Sequence, residues 1–542
     1  MKQTLRFVLI LLVVFGLWLQ PGCTTTNTTQ SVPTDTESEV PQGEHSAARE
    51  EVEATPTETP PTQAPETQTP VVEETEPVVE DAPLSEEGPW MFYTSFDGLY
   101  ISNLDGSGVT MLHPLQVVDP YVVGTLNLAA PQGGRVAVLE LIHMEDTALL
   151  FPNLKVIKVP SGEVELDLPL LPEEWGSIDI NEYSSGSGSE QEEIEARVQL
   201  EQIFAAAGVW NNIAWSHDGE MLAFNAAIDG PSTDLYVYHT SDGSIVRLTD
   251  GPSQSVDPVF SPDDRFILHG AVGSLNWGFS GAGYDNLNVW AARADDSGVT
   301  KVYDKEFYGF EHVLGWTSDT EYIAVSSNLW CGWSDVRIVD LMDGVQETVF
   351  TDAHDKSVFA PDWNQILLYG SDDLALADCE VEVRSGVYLL DITSGGLLEI
   401  FGIDQNQITD IFWHPQAEVF FVSTERDVFY AVGPAGGVTE YQAPAIQMWD
   451  PPLVSPDGTH WVFMKNSDNL VAIGDNQGGY MEFEITEPGS PVWTNDSTMV
   501  IFAGEVDGDR ILFGISTADS QLEVINPDGW PPLYPEFVIE NP

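Results

Sequence analysis

A short phrase recurs eight times along the 542-residue chain: an aromatic or apolar residue, a Ser/Pro-Asp-Gly-like turn, then three or four apolar residues. The clearest copies are Trp215-Ser216-His217-Asp218-Gly219-Glu220-Met221-Leu222-Ala223-Phe224 and Phe260-Ser261-Pro262-Asp263-Asp264-Arg265-Phe266-Ile267-Leu268. Val454-Ser455-Pro456-Asp457-Gly458 with Trp461-Val462-Phe463 is a third, and weaker copies turn at Pro131, Ser318, Pro361, Pro415 and Asn495. Successive turns lie 86, 45, 56, 43, 54, 41 and 39 residues apart. A period near forty, with one double-length step, marks an array of repeats rather than one globular core.

Each period decodes as four strands. From Trp215 to Pro262 these are a strand ending at Trp215, then Met221–Ala226, Asp234–Tyr238 and Ile245–Leu248, the last two joined by Asp242-Gly243. Asp-Gly pairs supply the positive φ that two-residue hairpin turns need, and ten occur. One four-stranded sheet of this size cannot bury both faces, whereas stacking it on the next around a ring can. The predicted fold is therefore all-β, a single β-propeller. Eight turns predict eight blades. Seven or nine are the alternatives, because Met91–Leu112 adds strand-like segments before the first turn and Tyr534–Ile539 could pair with them to close the ring.

The Trp-Ser-x-Asp-Gly-x-x-Leu-Ala-Phe phrase, followed by Asp234-Leu235-Tyr236-Val237-Tyr238 and Arg247-Leu248-Thr249, resembles the TolB-type (WD40-like) propeller repeat. The resemblance covers roughly residues 89 to 530 and is strongest at 213–264. It implies a fold and a habit of binding, not a reaction.

Residues 1–23 read as an export signal: Lys2 and Arg6, the apolar run Phe7–Leu19, then Gly22-Cys23. That run is short for a membrane-spanning helix. The segment resembles a bacterial lipoprotein signal, which implies a lipid on Cys23 and an extracytoplasmic, membrane-attached protein. Residues 24–88 are rich in Thr, Pro and Glu, with 16 acidic residues against one Arg. Such a segment buries too little apolar surface to offset its chain entropy, so a disordered spacer is expected, with the propeller over 89–542.

The remainder carries 71 acidic and 15 basic residues. A nucleic-acid binder needs a basic footprint, and direct docking on anionic lipid is disfavoured for the same reason, leaving the lipid as the only membrane contact. The acidity fits solubility, diffuse divalent-cation binding or a basic partner. No EF-hand pattern marks a dedicated calcium site, and no cofactor is expected. Cys331 and Cys379 fall in the second-to-third connections of consecutive blades, where equivalent loops emerge side by side. In an exported chain this predicts a disulfide.

In a propeller, first-to-second and third-to-fourth turns open on one face, and second-to-third loops and inter-blade links on the other. Short Asp-Gly turns mostly occupy the first set. Insertions at Gly273–Leu287, Asn328–Asp335, Ser371–Ser385 and Pro172–Gly208 occupy the second, the last with an amphipathic helix expected within Glu190–Ala207. Loops elaborated on one side of a repeat ring mark its binding surface. The candidate site gathers Trp277, Phe279, Tyr284, Trp330, Trp333 and Trp449 with Asp285, Asp335, Asp372, Asp373 and Asp450, since loop aromatics among acids suit stacking on sugars or gripping a protein.

No Gly-x-Ser-x-Gly elbow, no His-Glu-x-x-His and no room for a following α/β-hydrolase domain are found. The expectation is therefore a non-catalytic monomer that binds a protein or cell-surface polymer, with no catalytic or metal residues assigned. The alternative is a propeller glycoside hydrolase or lyase using carboxylates on the same face.

Overall fold

The computed structural model describes residues 67–68 and, from 82 to 539, all but 119–120, 144–149, 173–211, 229–231, 251–253, 273–274, 279–280, 285–286, 296–297, 302–309, 318–321, 329–332, 342–345, 361–363, 372–383, 405–407, 415–417, 425–427, 443–452, 466–468, 476–479, 507–508 and 527–533. The helix expected within Glu190–Ala207 lies outside the described residues.

The described strands form nine four-stranded antiparallel units of a β-propeller. Each of the eight phrases turns between the first and second strands of its own unit, and these are blades 2 to 9. Blade 1 is assembled from both ends of the fold, in the order Tyr534–Ile539, Trp90–Ser95, Gly98–Asn103, Thr110–Pro114. Its innermost strand pairs antiparallel with the second, Phe92 opposite Phe537 and Trp90 opposite Ile539. Blade 1 therefore has no first-to-second turn and no copy of the phrase, which is why the phrases number eight and the blades nine.

The cores confirm the ring. Nine buried apolar clusters among the described residues each straddle one pair of neighbouring blades. One of them joins Met91 and Tyr93 of blade 1 to Ile501, Ala503 and Leu512 of blade 9. Alternation assigns each strand residue to one seam: in blade 3, Leu222 and Phe224 face blade 2, while Ala223, Leu235 and Val237 face blade 4.

The phrase itself is a hydrogen-bonded unit. Ser216 Oγ donates to Asp218 Oδ1 (2.7 Å) and accepts from the Met221 amide (2.8 Å), closing the turn across its own hairpin. Ser261 with Asp263 (2.7 Å), Ser455 with Asp457 (2.6 Å) and Thr494 with Asp496 (2.8 Å) repeat the contact. The next position is left-handed, with φ of 68° at Gly219 and 71° at Gly458. Asp264 and Ser497 also adopt it, and each reaches back to the preceding blade: Asp264 accepts from the amides of His217 (2.8 Å) and Asp218 (3.1 Å), and Ser497 Oγ from that of Asp457 (3.0 Å). The leading Trp does the same for the inner strands, with Trp215 Nε1 donating to Leu128 O (3.0 Å) and Trp493 Nε1 to Leu453 O (3.1 Å). The phrase thus fixes one hairpin and its attachment to the next.

Before blade 1 the chain is already tied down: Asn103 bonds the Ser85 amide (2.8 Å) and Pro83 O (3.1 Å), and Trp90 Nε1 donates to Ser85 O (2.8 Å). Thr67–Gln68 runs parallel to the outermost strand of blade 8, opposite Glu482–Phe483.

Candidate functional site

The loop placements follow the sequence. Gly273–Leu287, Ser371–Ser385 and the residues between Asn328 and Trp333 all join second to third strands, and Trp449 lies in an inter-blade link. Phe279, Asp285, Trp330, Asp372, Asp373, Trp449 and Asp450 lie outside the described residues, as do Cys23, Cys331 and Cys379. Trp277 and Tyr284 fall in a hairpin, Leu275–Gly278 with Gly281–Tyr284. Trp333 and Asp335 belong to the strand Trp333–Asp340 and not to a loop, because Trp333 still pairs with Asn328. The side chains of these four are likewise outside what is described.

The described residues bring forward other groups, on the innermost strands. Several of these strands carry a β-bulge, a device that re-aims a side chain. In blade 1 the register jumps from Phe92–Phe537 to Tyr93–Pro535, so Glu536 is the extra residue. Its carboxyl accepts from the hydroxyl of Thr94 and, at 3.0 and 2.9 Å, from Asn127 Nδ2 on the inner strand of blade 2. Burial raises its pKa above the usual carboxylate range, and the hydrogen bonds from Thr94 and Asn127 only partly offset this. Asn127 Oδ1 is buried without a partner. Thr94 is the penultimate residue of a strand that ends on the elaborated face. Two residues on, Phe96 stands 64% exposed in the second-to-third turn. Val117 and Val118, in the link to blade 2 on the same face, are also exposed.

A second cluster lies in the seam of blades 3 and 4. Val256 pairs with Gly270 and Val259 with Leu268, which leaves Asp257 and Pro258 opposite His269, Asp257 with a left-handed φ of 51°. Burial alone pushes the Asp257 carboxyl up to about 7 and the His269 ring down to about 4, although a hydrogen bond to Gly270 O works against the latter. Among the described residues no three His, Cys, Asp or Glu side chains gather as a metal site.

Sequence reasoning missed both clusters. Phe96-Asp97-Gly98 reads as one more hairpin turn. Glu536 is nevertheless the one acid inside Tyr534–Ile539, the segment that could close the ring.

No family model matches the chain. An uncharacterised protein of Agrobacterium fabrum is 25% identical over 142 residues, which are 25% of this chain and 44% of that protein, so the chain spans less than half of that relative's length. Among solved structures, an oligogalacturonate lyase of Vibrio parahaemolyticus is 14% identical, with a TM-score of 0.37 over 57% of this chain and 89% of its own. A eukaryotic initiation factor reaches 0.48 at 12% identity over 84% and 99%, and a prolyl endopeptidase 0.37 at 12% over 74% and 49%.

These findings correct the expectation of a non-catalytic binder. It rested on the missing hydrolase domain and motifs, and the structures found include an oligogalacturonate lyase and a prolyl endopeptidase, so that ground no longer excludes an enzyme. At such scores the likeness says nothing of substrate. The architecture rests on the sheet topology, and the chemistry has to come from the chain's own residues.

Proposed function

We propose that the chain is a propeller enzyme that cleaves a glycan, as a lyase or a hydrolase, with Glu536 as its proton donor. The observation that carries the reading is a carboxyl set on an inner-strand bulge, its pKa raised by burial and its oxygens held by Thr94 and Asn127. An acid of this kind can protonate a departing glycosidic oxygen at a pH where an ordinary carboxylate has lost its proton. Phe96 offers a stacking surface for a sugar on the same side. The second carboxylate is to be sought among Asp285, Asp372, Asp373 and Asp450 on the elaborated loops and Asp335 on the strand that follows one of them. With 71 acids against 15 bases, the body repels polyanions, which favours a neutral or amino-bearing polymer.

Glu536→Gln, which keeps shape and polarity, is expected to lower turnover by about 10²–10⁴-fold while leaving KM nearly unchanged. Because the pKa is raised, wild-type activity should fall as pH rises through it, the acid being lost on the alkaline side. Undiminished turnover in the variant would reject Glu536 as the donor. Failure of the wild type to cleave any neutral or amino-bearing glycan would reject the enzyme.

The same reading takes the repeats as TolB-type and the chain as lipid-anchored outside the cytoplasm, with Cys331 and Cys379 joined in a disulfide. It rests on the phrases quoted above and on Gly22-Cys23. Cys23→Ser should then move the protein from the membrane to the soluble fraction without lowering its melting temperature.

A further inference from the structure

The seam between blades 3 and 4 holds buried acceptors without a partner among the described residues. Asn225, fully buried, donates through Nδ2 to Asn212 Oδ1 (3.2 Å), and its own Oδ1 has no partner. His269, 3% exposed, contacts Gly270 O (3.3 Å) through Nδ1. A carbonyl only accepts, so Nδ1 carries the proton and Nε2 presents a lone pair, also without a partner. Asp257 Oδ1 is the third such atom.

Topology brings the three to one level. Asn225 shares its side of the blade 3 sheet with Ala223, which packs in the seam toward blade 4. His269 shares its side of blade 4 with Ile267, which packs in the same seam from the other wall. Asp257 lies opposite His269 on the inner strand, and the strand bearing Asn225 packs directly on that strand. The two walls are pinned just above: Ser255 N bonds Thr233 O at 2.8 Å, and Thr233 N bonds Gln254 Oε1 at 2.7 Å. Apolar Ala223, Phe260 and Ile267 close the space beyond.

We propose that this seam is a cation site in which Asn225 Oδ1, Asp257 Oδ1 and His269 Nε2 are three of the donors. A buried acceptor left unmatched costs free energy. Three unmatched acceptors in one seam exceed the two protons of a single water molecule. One imidazole nitrogen with two oxygens is the donor set of a borderline divalent ion such as zinc or manganese rather than of calcium. The site stands on other residues than Glu536 and is independent of the catalytic reading.

The test is equilibrium dialysis and calorimetry on the chelator-stripped full chain with Zn²⁺, Mn²⁺ and Ca²⁺, at high ionic strength to suppress binding by surface carboxylates. We expect one tight equivalent of Zn²⁺ or Mn²⁺ that raises the melting temperature, with Ca²⁺ weaker. Asp257→Asn and Asn225→Leu should each weaken it at least tenfold. Equal binding by wild type and both variants would overturn the proposal, as diffuse attachment to the acidic surface. Absence of a tight equivalent in the wild type would overturn it in favour of bound water. Should Asn225→Leu fail to fold, Asp257→Asn alone decides the matter by dialysis.

Discussion

A chain ended after Asn526, and so lacking Tyr534–Ile539, is expected to lose its cooperative thermal transition altogether rather than to melt somewhat earlier. That strand is the inner edge of blade 1, and Phe537 stacks on Phe92 at 4.7 Å between ring centres. Losing buried Ile539 and the partly buried Phe537 and Val538 removes at most about 9 kcal/mol, at roughly 1.5–3 kcal/mol per fully buried side chain. This is comparable to the whole stability of a typical domain. Two seams fail together, since Phe537 and Ile539 pack toward blade 2 and Val538 toward blade 9. Scanning calorimetry of the truncated protein checks this, and a peptide spanning 527–542 added in trans should restore the transition. A truncated protein with one sharp transition near the wild-type temperature would mean that the ring does not depend on this strand.

The second large effect belongs to Glu140. Its side chain, 3% exposed in the middle of blade 2, takes Lys155 Nζ at 2.7 Å, and His113 of blade 1 stands 3.6 Å away. Burial would raise its pKa, but the hydrogen bonds from His113 and Lys155 outweigh that and hold it below the usual range. Glu140→Ala leaves the 14%-exposed Lys155 ammonium without its carboxylate and should cost about 3–5 kcal/mol by urea denaturation. A cost below about 1 kcal/mol would show that Lys155 finds water or another acid. The pH signature has a definite sign. A depressed carboxyl contributes stability that is present above its unfolded pKa and lost as pH falls through the folded one. Glu536, raised, works oppositely: its contribution is complete below the unfolded pKa and fades as pH climbs through the folded one.

Strand limits in blade 3 were legible almost to the residue: Met221–Ala226 was read as it stands, and Asp234–Tyr238 differs from the observed strand by one position. A period-two apolar pattern bounded by an Asp-Gly turn leaves little freedom. The blade count was less legible because the phrase marks turns, and a sheet closed by a distant strand has one turn fewer. Glu536 and Asp257 were harder still. A bulge arises from the register of two paired strands, and neither strand alone announces it. The loop aromatics drew attention because exposure can be guessed from Gly and Asn neighbours, whereas Phe96 sat in a turn too short to stand out. Function was misjudged for a related reason. Motif searches look for groups adjacent in sequence, while Thr94, Asn127 and Glu536, the site proposed above, meet only when the ring closes.

That closure also sets an order of events during synthesis. Thr94 and Glu536 are 442 positions apart, so the three early strands of blade 1 must wait for a partner made hundreds of residues later. Blades 2 to 9 need only their neighbours and can stack as they emerge. The growing chain therefore carries a bare sheet edge at its oldest blade until the very strand that brings Glu536 arrives. On the proposed reading, the strand that completes the ring also delivers the acid, so an unfinished chain would lack both.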